Sequence, residues 1–127
     1  MSSFSDYLEN ALLNHVFRNT ALSAPPAVYM ALFTASPSDA GGGTEVAAAG
    51  YARQAVSFGA PVGGAISNTA AVAFTATGTA FGTIVAVGFF DALSGGNMLA
   101  WDDIASAAIG PSDTIEFPVG DIDITLT

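Results

Sequence analysis

The chain contains no cysteine and no lysine, a single histidine (His15), and only two arginines, Arg18 and Arg53, in 127 residues. Each shortage removes a class of explanation. Without cysteine there is no disulfide framework and no thiol chemistry, so the redox state of the compartment leaves no mark. One histidine and no cysteine exclude a structural zinc site of the usual kind. Eleven acids against two arginines give a net charge of −9. A phosphate backbone or an anionic leaflet repels such a chain, so neither nucleic acid nor a membrane is expected as a partner. No apolar run approaches the roughly 20 residues of a spanning helix, and the longest, Ile84 to Phe90, is strand length and contains Gly88. The N-terminus has no basic stretch ahead of an apolar core, so no secretory signal is read there.

What remains is apolar and small. Hydrophobic residues make up 51% of the chain and charged residues only 10%. Soluble domains ordinarily cover themselves with interspersed lysine and glutamate. This surface must be built from Ala, Gly, Ser, Thr and apolar side chains, which repel neighbours poorly, so a subunit of a larger assembly is expected. The acids are uneven: from Asp91 onward there are seven and no base. That half presents a negative face, suited to solubility or to docking on a basic partner.

The length fits one compact domain, divided into an N-terminal helix or arm over 1–24 and an antiparallel β domain over 25–127. Phe4, Leu8, Ala11, Leu12 and His15 recur at three and four residues and form one apolar stripe. Ser3 and Asp6 have capping-box spacing, and Asp6, Glu9 and Arg18 suit the helix dipole. Residues 3–18 are therefore predicted helical, closed by Asn19-Thr20 and the stiff Pro25-Pro26 pair. The helix either packs on its own domain or inserts into a neighbouring subunit. After Pro26 the period becomes two. Ala27 to Thr34 is apolar on both faces and reads as a strand buried on both sides. Ser36 to Gly50, with Gly41 to Gly43 and the three consecutive alanines Ala47 to Ala49, reads as a long flexible surface loop.

Strands follow at Tyr51–Phe58, Ile66, Val72–Thr75, Phe81–Asp91, Met98–Trp101 and Thr114–Phe117, and one includes Ile122, Ile124 and Leu126 with a wet opposite face. Ser94-Gly95-Gly96-Asn97 is a hairpin signal, Gly110-Pro111-Ser112-Asp113 a turn, and Asp102-Asp103 falls in a loop. On the strand Phe81–Asp91, Ile84 shares a face with Ala86 and Phe90. Short strands with Gly/Pro turns at about ten-residue spacing predict a mainly β fold, an antiparallel β-sandwich or barrel-like domain with one N-terminal α-helix. There is no solenoid period, heptad or collagen repeat, so the chain is not itself a fibrous shaft.

Chemistry is thin. His15 lies on or beside the helical stripe and reads as a packed, hydrogen-bonded residue. No G-x-S-x-G accompanies the serines, so no catalytic residue is assigned, and no cofactor. Asp121 and Asp123 are the candidates for calcium, although paired acids on an exposed strand face are ordinarily just solvated. The glycine runs lack a phosphate-cradle pattern. Tyr29, Tyr51 and Trp101 have the chemistry to stack on sugar, but aromatics scattered through strands more often form core. Arg53 stands out as a mid-strand cation in an apolar sheet. It must find a carboxylate, within the fold or across a subunit interface.

Several segments together, Ser3-Phe4-Ser5-Asp6-Tyr7-Leu8-Glu9-Asn10, Tyr29-Met30-Ala31-Leu32-Phe33-Thr34, Gly50-Tyr51-Ala52-Arg53-Gln54, Ile66-Ser67-Asn68-Thr69-Ala70 and Gly88-Phe89-Phe90-Asp91-Ala92 with Ser94-Gly95-Gly96-Asn97, resemble a family of small tailed-phage structural proteins. Its members are commonly labelled tail fibre proteins, and similar virion proteins serve as head decoration or cement. Phe81-Gly82-Thr83 departs from the tryptophan that relatives carry before Gly-Thr. The resemblance implies a virion component assembled in the bacterial host cytoplasm, with no catalytic residue to carry over. Its partners would be the major capsid protein or tail components, together with further copies of the chain, a trimer among the candidates. The first expectation is a head decoration subunit packed on the capsid. The alternative is a tail fibre or baseplate component involved in host attachment, and a glycan hydrolase ranks last for want of a carboxylate pair. The interface candidates are Phe4, Leu8, Leu12 and Arg53.

Overall fold

The computed structural model of the chain describes residues 3–126. The fold is mainly β and antiparallel, with one helix near the N-terminus. In chain order the described elements are β1 (Ser3–Phe4), α1 (Asp6–Phe17), β2 (Val28–Ala35), β3 (Thr44–Glu45), β4 (Gln54–Val56), β5 (Ala65–Ser67), β6 (Val72–Thr75), β7 (Gly82–Phe90), β8 (Met98–Ile109), β9 (Thr114–Phe117) and β10 (Asp123–Thr125). A six-stranded sheet runs in the order β1-β8-β7-β2-β3, with β4 also paired to β2. Two ribbons, β10-β5 and β6-β9, complete the fold, and the barrel is not closed.

The large sheet buries both of its faces. On one, Met30 and Leu32 of β2, Ile84, Val87 and Phe89 of β7, and Ala100 and Ile109 of β8 meet Val56, Val72, Phe74, Phe117 and Ile122. On the other, Ala31, Phe33 and Ala86 form a smaller cluster against Val85 and Phe90. This two-sided burial is why β2 reads apolar at every position from Met30 to Phe33. In an antiparallel pair, residues directly opposite share a face. Trp101 opposes Gly88 and Asp103 opposes Ala86, which places both on the second face.

Turn chemistry sets the strand ends. Between β8 and β9, Gly110 N–H donates to the Asp113 carboxylate at 2.7 Å and Asp113 N–H returns to the Gly110 carbonyl. Pro118 follows β9 directly. Asn68, 2% exposed, joins β5 to the chain around β10. Its Oδ1 accepts from Ile122 N–H, and its Nδ2 donates to the carbonyls of Ala70 and Pro118, all at 2.9 Å.

Several expectations are corrected. The helix cap is Ser5, not Ser3: the Ser5 hydroxyl accepts from Leu8 N–H and donates to the Met98 carbonyl, while Ser3 and Phe4 pair with Trp101 and Ala100 as a strand. A serine already held in a sheet cannot cap the helix beyond it. Of the stretch Tyr51–Phe58, only Gln54–Val56 is strand. Asp102 and Asp103 lie within β8, not in a loop, because β7 is long enough to carry β8 to Ile109. The register of β7 and β8 shifts between Ile84 and Ala86. This irregularity returns Ile84 to the main core beside Val87 and Phe89, instead of leaving it on the face of Ala86 and Phe90. A bulge changes the side-chain alternation in this way.

The segment 36–50 is not a free surface loop. Pro37 and Val46 are buried, Thr44–Glu45 pairs with β2, and Ser36 and Asp39 reach across to Asp103 and Trp101 of β8. The segment is a strap that starts over the second face and ends with Val46 in the main core. Its glycines supply the positive φ of its turns, while Pro37 and Val46 anchor it. At the other end of the chain, Ile122 and Ile124 pack on the core but Leu126 is 59% exposed.

Candidate functional site

Two places hold three of the four interface candidates: a polar corner built on Arg53, and an apolar groove beside α1 that takes in Phe4 and Leu12.

Arg53 immediately precedes β4 and is buried, with 8% of its surface exposed. Its Nε and Nη2 donate to the two oxygens of Glu45 at 2.9 and 2.8 Å, a bidentate pair. Its Nη1 donates to the carbonyls of Ala92 and Gly95 at 2.9 and 2.8 Å. The guanidinium lies over the Phe90 ring, 3.7 Å from its centre. A planar fork fits this combination of carboxylate, carbonyls and ring face, and an ammonium does not. Tyr51 completes the corner. Its hydroxyl donates to Glu45 at 2.8 Å and accepts from Leu32 N–H at 3.0 Å, and its ring packs against Phe74 and Phe81.

Gly88 lets the corner close. A Cβ there would come within 2.8 Å of the Phe33 ring and 3.3 Å of the Phe90 ring. The two rings therefore stack, 6.3 Å between centres, and Phe90 meets Arg53.

The electrostatics follow from burial and pairing. Burial alone would raise the Glu45 carboxyl, but hydrogen bonds from Arg53 and Tyr51 and the guanidinium charge hold it below its ordinary value. Hydrogen bonding to Glu45 raises Arg53 further. Burial, and then the neighbouring carboxylate, push the Tyr51 phenol up. Burial works against Asp91 as well, yet hydrogen bonds from Asn97 keep it low. The corner thus consists of polar groups matched to one another, and its chemical effect is to tie the 91–97 hairpin loop and the 36–50 strap to the sheet. The partner Glu45 was not singled out in the sequence, although a signal existed: it is the only acid between Asp39 and Asp91.

The other candidates lie elsewhere. His15 is exposed, not packed. Its Nδ1 lies 3.1 Å from the Thr20 carbonyl just beyond the helix. Asp121 and Asp123 line, with Asp102, a small cavity of about 170 Å³ floored by Met30, Phe89 and Phe117. Asp123 is also bonded to the Ser67 hydroxyl. Among the described residues, no group of three or more side chains is arranged to hold a metal ion. Trp101 is half-buried and donates its indole N–H to Asp39 at 2.8 Å.

Phe4 and Leu12 meet in an open groove of about 710 Å³ between α1 and the chain end, with Leu13, Val16, Phe17 and Leu126 also lining it. Leu8 is half-buried on the neighbouring helix face, and none of the twelve α1 residues is buried. Of the sequence stripe, Leu8, Ala11 and Leu12 are half-buried, whereas Phe4 lies in β1 and His15 is exposed. The stripe misses Leu13, Val16 and Phe17, whose apolar character is equally plain in the sequence. Among the described residues, no helix is long and apolar enough to cross a membrane.

The curated proteins give no match to the chain. A protein-family model described as Podophage GP4 fiber I protein gp80 matches residues 3–125, a span that takes in the Ser5 cap, the strap, the Arg53 corner, the Asn68 junction and β10. The chain therefore belongs to this family of phage fibre proteins and is a structural component of a phage particle.

Proposed function

We propose that this chain is a non-enzymatic subunit of the tail fibre apparatus, contributing to host attachment in contact with other tail components and with copies of itself. The observation that carries the reading is the match to a fibre protein family over residues 3–125. Head decoration, placed first on small size and the absence of a shaft, has no comparable support. The internal pairing of Arg53, Glu45 and Tyr51 agrees with a structural role, since these groups are spent on holding loops in place. The charge of −9 favours protein partners over nucleic acid or an anionic membrane surface.

The test is to separate heads from tails of the parent particle on a density gradient and quantify the chain in each fraction. The fibre reading expects it in tails at low copy number. Abundance in the head fraction, at tens to hundreds of copies per particle, would return the decoration reading and overturn this one.

A further inference from the structure

A cavity of about 170 Å³ lies between β8 and the residues that lead into β10. Its walls are of two kinds. Met30, Phe89 and Phe117 are buried and give it an apolar floor. Asp102, Asp121 and Asp123 line it too, and since Asp121 and Asp123 are exposed, they stand on its solvent side. The Ser67 hydroxyl donates to Asp123 and holds that carboxylate in place. Asp102 opposes Val87 in the register of β7 and β8, which puts it on the face of the main core and not on the second face. Three carboxylates thus border an apolar hole. Neither arginine lines it: Arg53 is held by Glu45, and Arg18 donates to Asn14.

We propose that this cavity receives a lysine side chain of another protein in the particle, with its stem against the apolar floor and its ammonium among the carboxylates. The two kinds of wall select the ligand. A calcium ion needs a shell of six to eight oxygens, and among the described residues no group of three or more side chains is arranged to hold a metal. A wholly apolar side chain would cover the floor and leave the acids without a counter-charge. Lysine has both parts: a methylene stem that buries along apolar surface, and a compact head with three donors. A guanidinium is planar and suits a bidentate carboxylate with a ring face, as at Arg53, better than a small hole bordered by separate acids. The chain itself contains no lysine, so a further copy cannot supply the side chain and the donor is a different protein. The charge of −9 draws a basic partner toward the surface before contact. The inference goes beyond the fibre reading and holds whether the chain sits in tail or head, so either can fail alone.

The test has two arms. In the first, the isotope-labelled full chain is titrated with Nα-acetyl-lysine methylamide and followed by NMR. The amide resonances of 102–104 and 121–123 should move saturably, with a dissociation constant of about 1 mM for so small a probe. The Nζ-acetylated probe, which has lost its charge, and the matching arginine probe should each bind about tenfold more weakly. Asp121→Asn together with Asp123→Asn should weaken the lysine probe about tenfold and leave the circular dichroism unchanged, since both positions are exposed. If that pair disturbs the fold, the ranking of the three probes on the unaltered chain still decides. In the second arm, a carbodiimide couples carboxylates directly to lysine amines in the intact particle. Because the chain has no lysine, every such link from its acids to a lysine leads to another protein. Mass spectrometry should find Asp121 or Asp123 joined to a lysine of one other virion protein. No movement of the cavity resonances up to about 50 mM probe, or equal binding of all three probes, overturns the proposal. So do particles whose lysine links come only from other acids or are absent. Probe binding without a link in the particle would give the cavity to a free alkylammonium and overturn it equally.

Discussion

The Arg53 corner and the end of α1 invert the usual rule of what belongs inside. At the corner a charged side chain is buried, and each atom that carries the charge is bonded to Glu45, to a loop carbonyl or to an aromatic face. At the helix end apolar side chains are exposed beside a groove that nothing in the described chain fills. The comparison teaches where each region's energy is realised. Burying a charge is tolerable only with its partners in place, so the corner belongs to the folding of the single chain. Exposed apolar surface gains nothing until something covers it, so the described chain by itself draws no such stabilisation from the helix end.

Four substitutions or conditions would break or sharpen that contrast. The largest effect is expected for Arg53→Ala. It leaves Glu45 without its counter-ion, strands the Ala92 and Gly95 carbonyls, and uncovers Phe90. Loss of one partner of a buried pair costs about 3 kcal/mol, which for a chain of this length lowers the melting midpoint by about 10 °C in calorimetry. A loss under about 0.5 kcal/mol would place the corner among surface ion pairs.

Gly88→Ala comes next. Its methyl group would press on the Phe33 ring at 2.8 Å and the Phe90 ring at 3.3 Å, and overpacking of this kind costs about 2 kcal/mol in a denaturant titration. An unchanged midpoint would mean that the two rings swing aside freely and that Arg53 does not depend on their stacking.

The third is pH. Glu45 has a folded value below its ordinary one, so its contribution is present above the unfolded value, about 4.3, and is lost as pH falls through the lower folded value. The stability gap between the wild type and Glu45→Gln should therefore be widest above about pH 4.3 and close on acidification. A gap that widens as pH falls would reverse the assignment. The smallest effect is expected for Phe17→Ser in the dilute, monomeric protein, within about 0.5 kcal/mol of the wild type. A loss of several times that would show that Phe17 packs on its own domain.

Much of the β framework was legible in the sequence because short-range signals set it. Val72–Thr75 and Thr114–Phe117 are strands at the bounds read from alternation and from Pro118. The hairpin Ser94–Asn97 and the turn at Gly110–Asp113 follow from glycine, asparagine and aspartate chemistry. The two-sided burial of β2 was visible in its unbroken apolar run. The need of Arg53 for a carboxylate was legible too, but not which one. Glu45 sits in a Gly/Ala-rich stretch that reads as loop, and only its pairing with Phe33 of β2 brings it to the guanidinium.

The sequence by itself determined the class of fold, the helix, most strand positions and the absence of cysteine and zinc chemistry, because these depend on residue type, periodicity and turn preference within a few neighbours. Tertiary structure alone decided that 36–50 is a strap, that β8 runs through Asp102 and Asp103 to Ile109, that a register shift turns Ile84 inward, and that Leu13, Val16 and Phe17 stay outside. Each of these depends on which distant segment a residue meets. An apolar side chain has the same tendency to leave water whether its cover is its own sheet or a partner, and only the assembled fold distinguishes the two.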